Sequence, residues 1–484
     1  MTIIMNLSKI LPEYKTTHGD LEISNLNFDS RQILPNGLFF CFEGGTVNGH
    51  DFAIDAEKNG AVAIVASRQT ASQLPHIIVE NPRAIIGIAA ANFFDNPAKK
   101  LKMIGITGTN GKTTTTYIVQ SILKAANKKV GVIGTTAILV GDKKIDAKLT
   151  TPDPIDFHSI LSLMVDSGIE YVVMEVSAHA LALFKMEGVV FDVTAFTNLS
   201  QDHLDFFGDM ETYFAAKAKL FTKKLSKFCV LNADDKWVRR IIKNAEIPFI
   251  SYGEKAPADI FAIDLKMSTG GLEYVMNIND DIKTVKFNLP GKFNMYNTLC
   301  AASICESLGI KHNSIIKGIR NVKKIEGRFQ IISTASCSVI VDFAHTDDGL
   351  KNILSAIKEF AKGRIISVFG CGGDRDKTKR PLMGKVVSEY SDYCFITSDN
   401  PRTEDPLSIM LEIESGISKS KKSKTRLVVD RKMAIKQALE FASDDDIVLI
   451  AGKGAENYME IGDIKIPYND EDYVLELIEE QERN

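Results

Sequence analysis

The segment "LKMIGITGTNGKTTTTYIVQSILKAA", residues 101–126, constrains the fold more than any other. A continuous apolar run enters a glycine-bearing turn and leaves as an amphipathic helical pattern. A strand that is apolar on both faces has to be covered on both faces, which places it in a sheet flanked by helices. The texture recurs downstream in "KVGVIGTT", "YVVMEVS", "VTAFTNLS" and "FCVLNADD". It returns in "SVIVDFAH", "RIISVFGCGG", "YCFITSDN", "TRLVVD" and "DIVLIAGKG". Apolar strands alternating with helical patterns predict an α/β chain with parallel sheets.

The chain has 484 residues, too many for one core. At about 150 residues per domain, three domains are expected. Residues 1–99 carry shorter runs, "GLFFCFEGG", "AVAIVAS" and "HIIVEN", then a helical pattern ended by Asn96-Pro97. Residues 100–331 hold the glycine turn, and residues 332–484 form a second, Rossmann-like α/β unit. The net charge of −4 leaves no footprint for nucleic acid or an anionic membrane surface. No apolar run is long enough to span a bilayer, and the N-terminus lacks the pattern of a signal peptide. Seven cysteines without a CxxC pair read as reduced, buried thiols in a cytoplasmic protein.

In "GITGTNGKTT", Gly108 and Gly111 let the backbone turn tightly and aim its N–H groups at an anion, with a helix N-terminus behind them. Lys112 is placed to reach the outer phosphates of ATP, and the Thr113 hydroxyl to meet Mg²⁺. The usual pattern has another glycine where Ile106 stands, so the loop is a variant, GxxGKT. Magnesium prefers hard oxygen ligands, and Glu175 ends a nearby apolar run, with His179 beyond it; Asp202 and His203 follow another. In "METYFAAKAKLF", Tyr213, Lys217 and Phe221 fall at i, i+4 and i+8 and share a helical face. Lys217 therefore either snorkels from an apolar stripe or lies desolvated with a lowered pKa.

"GTNGKTT" resembles the phosphate loop of the Mur ligases and of their folylpolyglutamate synthetase cousins, ATP-dependent enzymes that join an amino acid to a carboxylate. The resemblance runs along essentially the whole chain. It implies ATP binding by Gly108, Thr109, Asn110, Gly111, Lys112, Thr113 and Thr114, and by Asn294 and Asn297 of "GKFNMYN". It adds Arg328 of "IEGRF", and Asp342 and His345 of "VDFAHTDD". It assigns Thr113, Glu175, His203 and Lys217 to metal binding, with Lys217 carbamylated by CO₂ into a carboxylate-like ligand for a second Mg²⁺. Lys112, Glu175, His203 and Lys217 form the implied catalytic set. Glu326 and Asp347 stand where the family has proline.

The N-terminal stretch "NFDSRQILPNGLFFCFEGGTVNGHDF" resembles the uridine-nucleotide domain of the Mur ligases that add the third peptide residue. Ser30, Gly45, Thr46 and Val47 match contacts to the nucleotide. Thr150, Thr151, Ser177 and Lys185 match contacts to the muramoyl-dipeptide, Lys185 replacing the usual arginine. The implied substrates are UDP-MurNAc-L-Ala-D-Glu and a diamino acid, taken by a monomer through an acyl phosphate.

The run "FITSDNPRTEDP" by itself reads as a solvated turn of Asn, Asp and Pro. It also lies at the carboxyl end of a strand, where open α/β sheets bind ligands. In the family, Asp399-Asn400-Pro401-Arg402 marks enzymes that take meso-diaminopimelate, because an arginine fork holds the second carboxylate and repels a bare ammonium. Arg375 of "GGDRDKTKRPLMG" and Gly452 and Glu456 of "AGKGAENY" match further amino-acid contacts, Ala455 replacing a histidine. Lysine and the sulfur isostere meso-lanthionine remain alternatives. So, more remotely, do a folylpolyglutamate-type ligase and an ATP-gated binding protein.

Overall fold

The computed structural model describes residues 3–44, 47–147, 149–268, 270–334 and 337–483. Among these, three sheets carry the architecture. A four-stranded parallel sheet runs in the order Asn25–Asn27, Gly37–Phe40, Ala61–Ala66, His76–Ile78. The helix Pro82–Phe93 covers it, started by Asn81, whose side chain accepts from the Arg83 and Ala84 amides, with Pro82 in the first turn.

The second sheet has eleven strands. The phosphate-loop strand, Lys102–Thr107, lies inside it between Tyr171–Glu175 and Val193–Phe196, parallel to both. Every residue of that strand except Lys102 is buried, as its unbroken apolar sequence requires. The parallel run extends from Val130–Ile133 to Ile260–Ser268. Antiparallel strands flank it: Ile138–Val140 and Lys143–Ile145 on one side, Gly271–Ile278 and Asp281–Phe287 on the other.

The third sheet orders its strands Gln330–Ser333, Ser338–Asp342, Ile447–Ala451, Ile365–Phe369, Tyr393–Thr397, Thr425–Val428. The first is antiparallel and the other five are parallel. Those five are the strands expected from the apolar runs. The added strand begins at Gln330, two residues before the expected start of the third unit. A separate hairpin, Tyr458–Ile461 with Ile464–Pro467, touches the third unit at an isolated bridge between Arg402 and Ile461.

All seven cysteines are free and buried, as their scatter predicts. Among the described residues no helix is long and apolar enough to cross a membrane. Segments that follow the strands of the second sheet meet segments that follow those of the third through side-chain contacts, Asn110 with Asp348, Gln201 with Thr378 and Asp202 with Lys379. That meeting positions the site.

Candidate active site

The phosphate loop turns at Gly108 (φ 145°) and Gly111 (φ 87°), a backbone region where a side chain is strained. A β-carbon on Gly108 would collide with the Thr197 hydroxyl, and one on Gly111 with the Asn297 amide oxygen. Asn198 holds the loop in place: its carbonyl accepts from the Thr109 amide at 2.8 Å and its Oδ1 from the Asn110 amide at 3.0 Å. The 14-residue helix Lys112–Ala125 starts at Gly111 with no side-chain cap. Its first turn can therefore offer amides and the positive end of the helix dipole to an anion.

Two lysines converge on one carbonyl. Lys112 Nζ donates to the Gly108 oxygen at 3.0 Å and to the Thr109 oxygen at 2.9 Å; Lys217 Nζ donates to the same Gly108 oxygen at 2.8 Å. Lys217 is only 2% exposed, so the amine points inward and does not snorkel. Burial, and after it the charge of Lys112, holds the Lys217 amine well below the ordinary lysine range. Burial lowers Lys112 as well. Tyr213 and Phe221 are buried alongside, although the α-helix ends at Ala218 and Phe221 lies in a 3₁₀ turn. The Lys217 ammonium stands 4.7 Å from the centre of the Tyr213 ring.

The Thr113 hydroxyl donates to Glu175 Oε1 at 3.0 Å and accepts from Arg328 at 3.0 Å. The Thr135 amide and hydroxyl orient the Glu175 carboxylate, at 2.9 and 3.1 Å. Thr113 and Glu175 thus place two hard oxygens beside a helix N-terminus, a donor set that fits magnesium. Among the described residues no three His, Cys, Asp or Glu side chains gather as a ready-made metal cage.

His203 adopts a left-handed backbone (φ 57°) and lies in a neighbouring cluster. Burial depresses its imidazole to about 3, against the pull of Asp202. Its ring stacks edge-on to that of His179 at 4.8 Å. Asp202 is buried, which opposes ionisation, yet the nearby His345, 3.6 Å away, and the charges of Lys379 and His203 hold its carboxyl well below the usual range.

The third unit supplies the other wall. Asp348 accepts from Asn110 at 3.1 Å, Thr378 from Gln201 at 3.0 Å, and Lys379 lies 3.5 Å from Asp202. Asp342 is held by the Phe329 and Ala344 amides, each at 2.7 Å, and burial raises its pKa. Asp347 begins the helix Asp347–Lys358. Proline suits that first helical position and so does an acid, which explains the exchange. Asn294 and Asn297 are buried, with Asn297 donating to Asn294 and Asn294 donating to the Pro290 carbonyl.

The turn at 399–402 is not a solvated one. Asp399 and Asn400 are buried. Lys453 donates to Asn400 Oδ1 at 3.0 Å and to Glu456 at 2.8 Å, while Asn400 donates to Glu456 at 2.9 Å. Gly452 (φ 116°) packs on Asp399, where a β-carbon would come within 2.6 Å of its carboxylate. Arg402 donates to the Gly373 carbonyl at 2.8 Å and pairs with Glu460 at 2.9 Å. The Arg402 guanidinium packs on Gly372, where a β-carbon would sit 3.0 Å from it and 3.7 Å from Cγ of Arg375, whose own guanidinium donates to the Asp374 carbonyl at 2.8 Å. Glu404 pairs with the fully buried Arg380, whose hydrogen bond holds its carboxyl at about 2, and Asp405 caps the helix Pro406–Ser415.

The remaining residues divide into two groups. Thr150, Thr151 and Ser177 surround Glu175: Thr151 donates to the Glu175 carbonyl at 2.9 Å and accepts from the Ser177 amide at 3.0 Å, and Thr150 contacts Thr135 at 3.1 Å. Lys185 pairs with Asp153 at 2.8 Å. Further off, Ser30 and Val47 line a cavity of about 730 Å³ walled by Phe28, Phe39, Phe40 and Phe42. Gly45 and Thr46 lie outside the described residues. Sequence reasoning missed Thr135, Asn198, Lys379, Asp348 and Glu460. All but Glu460 stand inside quoted runs, where the residue type alone did not show the partner.

Three family models match the chain: "Mur ligase family, catalytic domain" over residues 22–106, "Mur ligase middle domain" over 106–305, and "Mur ligase, glutamate ligase domain" over 327–454. A relative from Clostridium acetobutylicum, UDP-N-acetylmuramoyl-L-alanyl-D-glutamate–2,6-diaminopimelate ligase 1, is 46% identical, with 98% of this chain and 100% of the relative covered. A solved structure of a ligase with the same substrates in its name superposes with a TM-score of 0.71 at 29% identity, covering 99% of both chains. Folylpolyglutamate synthase from Mycobacterium tuberculosis shares the fold, with a TM-score of 0.66 at 16% identity over 76% of this chain and 92% of the synthase. Fold, site and matches define an ATP-dependent ligase that forms an amide bond. The chain belongs to the Mur ligase family.

Proposed function

We propose that the chain joins meso-diaminopimelate to UDP-N-acetylmuramoyl-L-alanyl-D-glutamate in peptidoglycan synthesis, consuming ATP. Residues 1–99 would bind the uridine nucleotide, 100–331 ATP, and 332–484 the amino acid. One observation supports the amino-acid assignment: Arg402 is fixed by the Gly373 carbonyl and Glu460 at the strand ends of the third sheet, beside Gly372, with the stem of Arg375 against the same glycine. Arg402 would hold one carboxylate of the amino acid, and the more exposed Arg375 is free to reach the other. The relatives' printed names favour the same substrate.

In this reading the loop 108–114 and Lys112 hold the ATP phosphates. The D-glutamate carboxylate attacks the γ-phosphorus, ADP leaves, and an acyl phosphate forms. The amino group then attacks the acyl carbon, and phosphate leaves as the amide forms and the nitrogen loses a proton. The protein's contribution is alignment and fixed charge. Magnesium, held by Thr113, Glu175, His203 and a carbamate on Lys217, would neutralise phosphate charge. The depressed pKa of Lys217 supports the carbamate, because only a free amine reacts with CO₂. Asn294, Asn297, Arg328, Asp342 and His345 would complete the nucleotide site. Ser30, Val47, Thr150, Thr151, Ser177 and Lys185 would hold the UDP-dipeptide, with Gly452 and Glu456 behind the amino acid.

The test is phosphate release with ATP, Mg²⁺, the UDP-dipeptide and a panel of meso-diaminopimelate, meso-lanthionine and L-lysine. Turnover with diaminopimelate is expected. Turnover with lysine and with neither diacid would overturn the assignment.

A further inference from the structure

We infer that Glu460 is a specificity-determining residue that recognises the ammonium on the distal carbon of the amino acid, while Arg402 takes the carboxylate on that carbon. The inference rests on the proposed diamino-acid reading. It starts from an ion pair the motif does not explain: Glu460 Oε2 lies 2.9 Å from Arg402 Nε. Glu460 is not in the DNPR segment but on the hairpin strand Tyr458–Ile461. Its backbone is tied to the turn on both sides. The Arg402 amide donates to the Glu460 carbonyl at 3.1 Å, and the Glu460 amide donates to Asn400 Oδ1 at 2.9 Å. The side chain is therefore aimed from a fixed position.

The pairing uses only part of either group. Arg402 also gives one N–H to the Gly373 carbonyl, at 2.8 Å, and a guanidinium has five donors. Among the described residues no side chain hydrogen-bonds the second oxygen of Glu460, and its side chain remains 25% exposed. Arg402 is 19% exposed beside it. A cation and an anion, each partly exposed, thus stand side by side at the DNPR turn. That is the electrostatic complement of a carbon bearing both a carboxylate and an ammonium. An arginine alone would accept any diacid; adding a carboxylate demands the amine as well.

The experiment compares the holoenzyme and its variants on two acids: meso-diaminopimelate, and 2-aminopimelate, a diacid of the same length without the distal amine. Glu460→Gln keeps the shape and both backbone ties and removes the charge. Its kcat/KM for diaminopimelate should fall about tenfold through KM, the usual scale for one charge-assisted contact. Its kcat/KM for 2-aminopimelate should stay within about twofold or rise. Glu460→Asp, which keeps the charge, should retain part of the preference for the diamine. Equal losses on both acids would make Glu460 a mere brace for Arg402 and overturn the inference; so would no loss on either. Wild-type turnover separates the two failures. A wild type that uses diaminopimelate with an indifferent Glu460→Gln sinks this inference alone, whereas a wild type that turns over neither acid sinks the proposed function and the inference with it.

Discussion

At the scale of single residues, environment decides what a side chain can do. Lys217 is the sharpest case. Its spacing from Tyr213 and Phe221 marked an apolar face, but only packing against Gly108 showed that the amine lies inside. Lys217→Arg keeps a permanent cation that cannot form a carbamate. It should lower kcat at least a hundredfold, with ATP binding, followed by calorimetry, changed far less. Arg402→Ala should cost a diacid substrate about tenfold or more in kcat/KM and cost lysine little; equal losses on both would remove the reason for reading Arg402 as a carboxylate ligand. Burial presses the His158 imidazole down to about 4, partly offset by the Glu187 backbone. A histidine ordinarily titrates near 6.5, so the folded protein binds this proton less readily than the unfolded chain. Its contribution is fully present above pH 6.5 and is lost as pH falls towards 4, at no more than about 1.4 kcal/mol per pH unit. Urea unfolding of His158→Leu across this range should show a correspondingly shallower slope. Residue identities in the motifs were legible from the sequence. The roles of Asn198, Thr135 and Glu460 were not, since each acts on a partner distant in the chain.

At the scale of elements, the parallel strands were legible because strands buried on both faces are apolar throughout. The antiparallel strands Gly271–Ile278 and Asp281–Phe287 were missed because they alternate buried and exposed positions. A signal was present: Asn279 and Asp280 both take positive φ, 49° and 66°, the turn chemistry of a tight hairpin. The seating of the phosphate loop is also an element-level matter. Its helix, Lys112–Ala125, packs on the helix His312–Asn321 at Gly318, where a β-carbon would strike the backbone of Ile122. Ser121 donates to the Gly318 carbonyl at 2.7 Å. Gly318→Val should therefore push the helices apart, destabilising the protein by roughly 1–3 kcal/mol. If the loop moves with its helix, KM for ATP rises; a thermal melt and ATP kinetics together check both effects.

At the scale of the whole molecule, the walls of the site belong to different sheets, and their approach is what makes a ligase of two α/β units. Asp202 meets Lys379 and His345 across the gap, and Asn110 meets Asp348. Lys379→Ala leaves a buried carboxylate without one of its cations, which favours separation of the units. Turnover should fall at least tenfold while affinity for ATP changes less than threefold, and cleavage of the connection near 322–329 by a protease should quicken. A variant cleaved and active like the wild type would remove Lys379 from closure. The sequence by itself determined the sheet type, the phosphate loop and the family, because these depend on short-range patterns of burial, turn geometry and spacing. Tertiary structure alone decided that Lys217 points inward, that the DNPR turn is buried on Lys453 and Glu456, and that Glu460 stands beside Arg402. Each of those depends on which distant segments pack together, and therefore on where a charge finds its partner and how much water it loses.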